Sequence, residues 1–202
     1  MAGAACPVSV GVVDYSADLY RIIAGWGDLS PAWVKAGALV VTDVLLLAFI
    51  PVAAFVWWRV DRRLRAMLAI LLSGGTTWVL NGLVKGIFEQ PRPCNVLPVR
   101  TVEHCSEVGI WSLPSGHAAT AAAFAMTVAV LWRKSIAVVA IAALLEAFLR
   151  VFIGVHYPHD VLFGLLFGSL IGLIAAIAAK PGARRPPAEA IGADVEPTSA
   201  TS

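Results

Sequence analysis

The sequence predicts an all-α fold, a polytopic membrane helical bundle of about five to six transmembrane helices. Three observations carry this. Hydrophobic residues make up 59% of the 202 and charged residues 14%, against roughly 45–50% and 25% in soluble domains. The apolar residues are gathered into runs that approach or reach the ~20 helical residues needed to cross the hydrocarbon layer. Runs such as VLFGLLFGSLIGLIAAIAA are apolar on every face, whereas the strands of a barrel would alternate. The net charge of +2 and the unbroken apolar runs also exclude disordered, collagen-like and nucleic-acid-binding classes.

Taken in order, residues 1–35 form an extracytoplasmic or interfacial segment, 36–180 the transmembrane domain, and 181–202 a disordered cytoplasmic tail. No signal peptide is expected, because the first ten residues lack a positive start, and Cys6 reads as incidental. From Asp14 to Gly27 the apolar residues follow one helical face, with Tyr and Trp suited to the headgroup level, so this stretch is expected to lie along the surface. Five spans follow, near 36–58, 66–88, 115–132, 135–153 and 159–179. The tail is rich in Pro, Ala, Thr and Ser.

Charge placement orients the spans. The loop Arg59 to Arg65 carries four cations, the turn Arg133-Lys134 two, and the tail Lys180, Arg184 and Arg185. Such clusters stay in the cytoplasm. Residues 1–35 and 89–113 are acidic or balanced and belong outside.

That topology gathers the costly ionisable residues on the outer side: Lys85, Arg92, His117, Arg150, His156 and Asp160. Three cations around a small site suit an anion with several oxygens, since guanidinium presents paired donors and ammonium a point charge. Ser115 is placed to cap a helix whose free N–H groups, approached closely at Gly116, add further anion donors. Two imidazoles permit attack by one and proton transfer by the other, with Asp160, four residues after His156, orienting its ring. Phosphoryl transfer is the reaction class these residues suggest.

The spacing Lys85-(x)6-Arg92-Pro93, then Pro114-Ser115-Gly116-His117, then Arg150-(x)5-His156-(x)3-Asp160 resembles the three signature motifs of the type 2 phosphatidic acid phosphatases. That superfamily also includes vanadium haloperoxidases, which are typically soluble and longer. It resembles small bacterial members that act on undecaprenyl diphosphate. The resemblance implies His156 as nucleophile forming a phosphohistidine, Asp160 as its orienting acid, and His117 as proton donor and then base. It implies Lys85, Arg92, Ser115, Gly116 and Arg150 as phosphate ligands, with no metal and no cofactor. Members commonly carry Ser where this chain has Leu149, which removes one helper hydrogen bond.

The expected activity is hydrolysis of a phosphate from a polyprenyl (di)phosphate or related lipid phosphate at the outer face of the cytoplasmic membrane. The alternatives are a phosphatidic acid or phosphatidylglycerol phosphate phosphatase, and a lipid-phosphate carrier without turnover. The partners are the bilayer and the lipid substrate, not nucleic acid.

Several residues take supporting roles. Glu146, one turn before Arg150, is expected to pair with it as structural support. Cys94 and Cys105 share the outward loop and are candidates for a disulfide; with His104 they match no usual zinc spacing. His104 and His159 are expected to be solvated, with His159, next to Asp160, also placed to tune its charge. Gly164, Gly168 and Gly172 form a small-residue ridge facing the Ala-rich stretch 118–125 of the same chain.

Overall fold

The computed structural model describes residues 12–59, 64–107 and 109–180, and backbone alone at 12–14. Cys6, most of the basic loop 59–65 and the tail from 181 lie outside the described residues. The described chain is helical, with no strand among those residues.

Helix α1 runs from Val12 to Leu29, α2 from Ala32 to Arg59, α3 from Leu64 to Phe88, and α4 is a single turn at Pro93–Val96. Helix α5 spans Gly116–Leu131, a 3₁₀ turn follows at Arg133–Ser135, and α6 (Ile136–Phe152) and α7 (Pro158–Ala179) complete the bundle. The start of α2 at Ala32 places the first span about one turn earlier than expected. Among the described residues, four stretches are long and apolar enough to cross a membrane: Ala32–Arg59, Leu64–Val96, Arg133–Phe152 and Pro158–Ala179. The chain is a multi-pass membrane protein, and its lipid-facing sides expose residues such as Leu47, Val79, Ile141 and Leu166.

Helix α5 departs from the expected run of equal spans. At 16 residues it is about 24 Å long at 1.5 Å per residue, shorter than the ~30 Å hydrocarbon layer. It occupies the centre of the bundle, packed by α2, α3, α6 and α7. Its buried residues are mostly Ala or Thr, which lets the surrounding backbones come close.

The closest approach is to α7, where the glycine ridge meets α5 as expected. A Cβ on Gly164 would come within 2.7 Å of the Ser115 carbonyl oxygen. Added at Gly168 or Gly172, it would collide with the carbonyls of Ala119 and Ala123. Thr127 Oγ1 crosses the same seam to the carbonyl of Gly172 at 3.1 Å.

Farther along α5, Phe49, Val56, Ile70, Phe124 and Val128 form one apolar cluster, with Phe49 and Phe124 stacked at 4.7 Å. Leu149 packs with Phe152, Ile153 and Val155 in another, so that position provides apolar contact and no hydrogen bond.

Helix α1 does more than lie along a surface. Tyr20 and Ala24 are buried against Ala147, Val151 and Tyr157, and Tyr20 Oη donates to the Gly154 carbonyl at 2.9 Å. Gly154 turns the chain from α6 towards α7 at φ +90°, a conformation that favours glycine; Thr101 packs too close for any side chain there. The helix is thus docked over the end of the bundle where α6 meets α7.

Candidate active site

The antiparallel run of α3, α5, α6 and α7 brings the last turn of α3, the first turn of α5, the last turn of α6 and the start of α7 to one end. A cavity of about 330 Å³ opens there, lined by Lys85, Arg92, Gly116, His117, Arg150 and His156 together with Trp78, Asn81 and Glu103. The structure therefore assembles the cations and imidazoles singled out in the sequence. Asp160 stands directly behind His156, fully buried.

Each wall has a local cause. Helix α3 stops after Phe88, where Glu89 takes a left-handed φ of 45° and Pro91 and Pro93 prevent its continuation. The freed loop carries Arg92 back over the cavity, and its Nε donates to the Ile110 carbonyl at 3.3 Å. Lys85 Nζ donates to the Trp111 carbonyl at 3.0 Å. The loop is closed on itself by a disulfide between Cys94 and Cys105, with Cα atoms 5.9 Å apart, which leaves neither thiolate for a metal. His104 is exposed, as expected.

Ser115 occupies the N-cap position of α5, yet its side chain makes no capping bond. Its backbone N–H donates to the Asp160 carbonyl at 3.1 Å, joining the starts of α5 and α7, and its Oγ is buried without a partner. Gly116 is held close to α3: a Cβ there would lie 3.3 Å from Asn81 Nδ2. Trp78 meets the His117 ring edge-on at 5.8 Å.

The histidine that faces the acid is held through an intermediary. His156 Nδ1 lies 3.6 Å from Asp160 Oδ2 but 3.2 Å from Ser112 Oγ, and Ser112 gives its hydroxyl proton to Asp160 Oδ2 in a short hydrogen bond. A hydroxyl has one proton, so its contact with His156 must be accepted from Nδ1–H. That assigns the tautomer and leaves the Nε2 lone pair for the cavity.

Asp160 is further held by the Tyr157 backbone N–H at 2.8 Å and by Gln90 Nε2 at 3.3 Å. Its other neighbour corrects an expectation. His159 is not a solvated side chain: its Nε2 lies 3.2 Å from Asp160 Oδ1 and 2.8 Å from Gln90 Nε2, and its Nδ1 lies 2.7 Å from Ser16 Oγ of α1. The docking of α1 over this end is what covers it.

The expected Glu146–Arg150 pair is also corrected. Arg150 reaches into the cavity, where its Nη1 lies 3.3 Å from Glu103 Oε2. The shorter Glu146, fully buried, turns to α2 and accepts from Thr42 Oγ1 at 2.5 Å. Same-face spacing made the pairing possible; a nearer donor on another helix and a longer reach for Arg150 decided against it. Thr42→Val removes the donor but keeps the shape, so it should lower stability by about 1–3 kcal/mol, the cost of a stranded buried acceptor. Thermal unfolding in detergent reads this, and an unchanged melting temperature would remove Thr42 and Glu146 as a supporting contact.

Burial holds the His156 imidazole down to about 3 from its ordinary 6.5; the Asp160 contact opposes this, and Arg150 and Lys85 reinforce it. At neutral pH the ring is an uncharged base. The stability it contributes is complete above about pH 6.5, because both folded and unfolded rings are then neutral. It is lost as pH falls towards 3, since only the unfolded ring takes up the proton, at up to ~1.4 kcal/mol per pH unit. Wild type should therefore lose more melting temperature than His156→Asn between pH 7.5 and 5; equal losses would show that this ring is not held neutral.

Several donors around the cavity have no internal partner. Arg92 Nη1, Ser115 Oγ and Arg150 Nε are all buried without a hydrogen bond, an arrangement that costs stability unless a ligand oxygen meets them. Lys85 adds charge beside them. The set matches a tetrahedral oxyanion with several acceptor oxygens, and no metal-binding cluster of His, Cys, Asp and Glu occurs among the described residues.

Ser112, Gln90, Asn81, Glu103 and His159 were not singled out as site residues in the sequence. They are common polar residues in loops or single polar positions in helices, and only the fold brings them together.

The model of the PAP2 superfamily matches residues 63–181. No curated protein matches at a significant level. Among solved structures, the chain is similar to a transmembrane PAP2 type phosphatidylglycerolphosphate phosphatase from Bacillus subtilis, with TM-score 0.65, 22% identity, and 83% of this chain and 85% of that one covered. It is also similar to Aquifex aeolicus LpxE, with TM-score 0.57, 24% identity and coverages of 80% and 92%. At these identities the two structures speak for the fold.

Proposed function

The chain belongs to the PAP2 superfamily, and from that premise we propose that it is a lipid phosphatase that hydrolyses a polyprenyl (di)phosphate through a phosphohistidine on His156. The observation that carries this reading is the pair of buried, unpartnered donors on Arg92 and Arg150 in a cavity that both imidazoles line, with the unpartnered Ser115 hydroxyl next to Gly116 of its wall.

The phosphoryl oxygens take up those donors, with Lys85 and the first N–H groups of α5 at Gly116 neutralising the charge that grows in the transition state. His156 Nε2 attacks the terminal phosphorus as its bond to the leaving oxygen breaks, the lipid hydroxyl oxygen of a monophosphate or the bridging oxygen of a diphosphate, and His117, entering as imidazolium, gives that oxygen its proton. The Nδ1–H, held by Ser112 and Asp160, supports the positive charge that develops on the ring. Water then attacks the phosphohistidine and gives a proton to His117; the P–N bond breaks and inorganic phosphate leaves. Positioning and charge do most of the work, since little else is asked of the protein in phosphoryl transfer.

The orientation follows from charge. Arg59, Arg133, Lys134 and Lys180 lie at the end of the bundle away from the cavity, which supports an outward-facing cavity by the positive-inside rule. A phosphate entering there leaves its tail in the bilayer. The isoprenoid choice rests on the outward site.

The test is phosphate release from purified protein offered polyprenyl mono- and diphosphates, phosphatidic acid and phosphatidylglycerol phosphate, with His156→Ala as control. Preference for the isoprenoid substrates is expected. Preference for the glycerol lipids would move the assignment to that class, and equal release by the control would remove His156 as nucleophile. Binding without release of any of them would identify a carrier.

A further inference from the structure

A second concavity lies at the opposite end of the bundle. It measures about 700 Å³ and is walled by α5, α6 and α7, from Ala122 and Leu165 at its deep end to Arg133 and Lys180 at its mouth. Its volume falls within the ~300–1,000 Å³ of ligand sites, and it shares no lining residue with the catalytic cavity.

The groove has a cause in the sequence. On α5 the wall is built from Ala122, Ala125 and Ala129, side chains too short to fill the space between two neighbours. Helices α6 and α7 both pack on α5, and they touch each other far less than either touches α5. The same run of alanines that admits the glycine ridge of α7 therefore leaves a furrow on its other side.

The walls and the mouth differ in chemistry. Apart from Ser169, every wall residue between the two cations is apolar. Among the described residues no carboxylate lines the groove, and the exposed side chains of Arg133 and Lys180 have no partner. One guanidinium and one ammonium at the membrane–water boundary, at the foot of an apolar furrow, complement a phosphate joined to a hydrocarbon chain.

We propose that this groove binds one anionic glycerophospholipid from the leaflet opposite the active site, with an acyl chain against the α5 alanines and the headgroup phosphate between Arg133 and Lys180. A net negative headgroup is preferred because a zwitterionic lipid would bring its own ammonium towards the two cations. This is a bound lipid and not a substrate, since among the described residues no imidazole or carboxylate that could activate a nucleophile lines the groove.

Native mass spectrometry of the detergent-purified protein, titrated with phosphatidylglycerol or phosphatidylcholine of the same acyl chains, tests the assignment. Wild type should retain one phosphatidylglycerol in preference to phosphatidylcholine, by roughly thirtyfold for two interfacial cations at about 1 kcal/mol each. Arg133→Gln/Lys180→Gln should lose the preference. Ala140→Phe, which fills the groove from an exposed position on α6, should lose retention of both lipids. Phosphate release should persist in all three proteins, which separates this site from the catalytic one. Equal retention of the two lipids by wild type, or unchanged preference in the double variant, would overturn the proposal. So would a dimer that Ala140→Phe dissociates, because the groove would then belong to a second copy.

Discussion

His156→Ala is expected to lower phosphate release by at least about a thousandfold, equivalent to ~4 kcal/mol of lost transition-state stabilisation. The size of the effect follows from its place in the site. Nε2 is the one basic nitrogen whose tautomer is assigned by its neighbours, through Ser112 Oγ at 3.2 Å from Nδ1 and the Ser112–Asp160 bond behind it. No other residue in the cavity has such a support. The ring is also buried, so truncation leaves a hole, and His156→Gln should accompany it to keep the volume. Loss of turnover in both variants, with melting temperatures near wild type, is the expected pattern. His117→Ala should separate the two half-reactions: it should still trap phosphate covalently from a substrate whose leaving group needs no proton, yet fail to turn over. An acid-labile phosphoprotein detected in His117→Ala and missing from His156→Ala would place the covalent bond. Phosphoprotein in neither variant would argue for direct attack by water.

Gly168→Leu is expected to be the most damaging change to the fold. Helices α5 and α7 meet backbone to backbone at this position, where even a Cβ would collide with the Ala119 carbonyl. A leucine forces the helices apart along the whole seam, including the Ser115 N–H to Asp160 carbonyl bond at 3.1 Å and the Thr127 contact with Gly172. Overpacking of this kind costs about 1–3 kcal/mol in forgiving cores, and rigid backbone on both sides puts this site above that range, where losses beyond ~4 kcal/mol occur. The expected readout is no monodisperse protein in detergent, or a melting temperature lowered by more than about 10 °C. Leu170→Ala, two residues away on the exposed side of α7, is the control and should melt near wild type. Equal behaviour of the two would mean that the seam is not where the bundle derives its stability.

Much of this could be read from the residues alone, for physical reasons. Hydrocarbon dictates the length of a span and penalises charge, so the helices around α2, α6 and α7 and the convergence of Lys85, Arg92, His117, Arg150, His156 and Asp160 follow from few assumptions. The glycine ridge was legible because small residues at helical spacing have one main use in a bilayer. What stayed hidden depends on neighbours distant in sequence. Glu146 and Arg150 share a face, but Thr42 lies 104 positions from Glu146 and Glu103 is on a loop. Ser112 is an ordinary loop serine until α7 brings Asp160 to it. Helix α5 looks like another span, and its central position depends on which helices surround it.

The superfamily match begins at residue 63, after α1 and α2 have ended. Yet α2 contributes the hydroxyl that Glu146 binds, and α1 contributes Ser16 to the far nitrogen of His159 and Tyr20 to the Gly154 carbonyl. The inherited module and the autonomous one are thus different lengths of chain. A fragment trimmed to the shared region would keep every reacting group while stripping the carboxylate of α6 and the imidazole beside Asp160 of their outer contacts, so shortened versions should begin before α1 and not at the edge of homology.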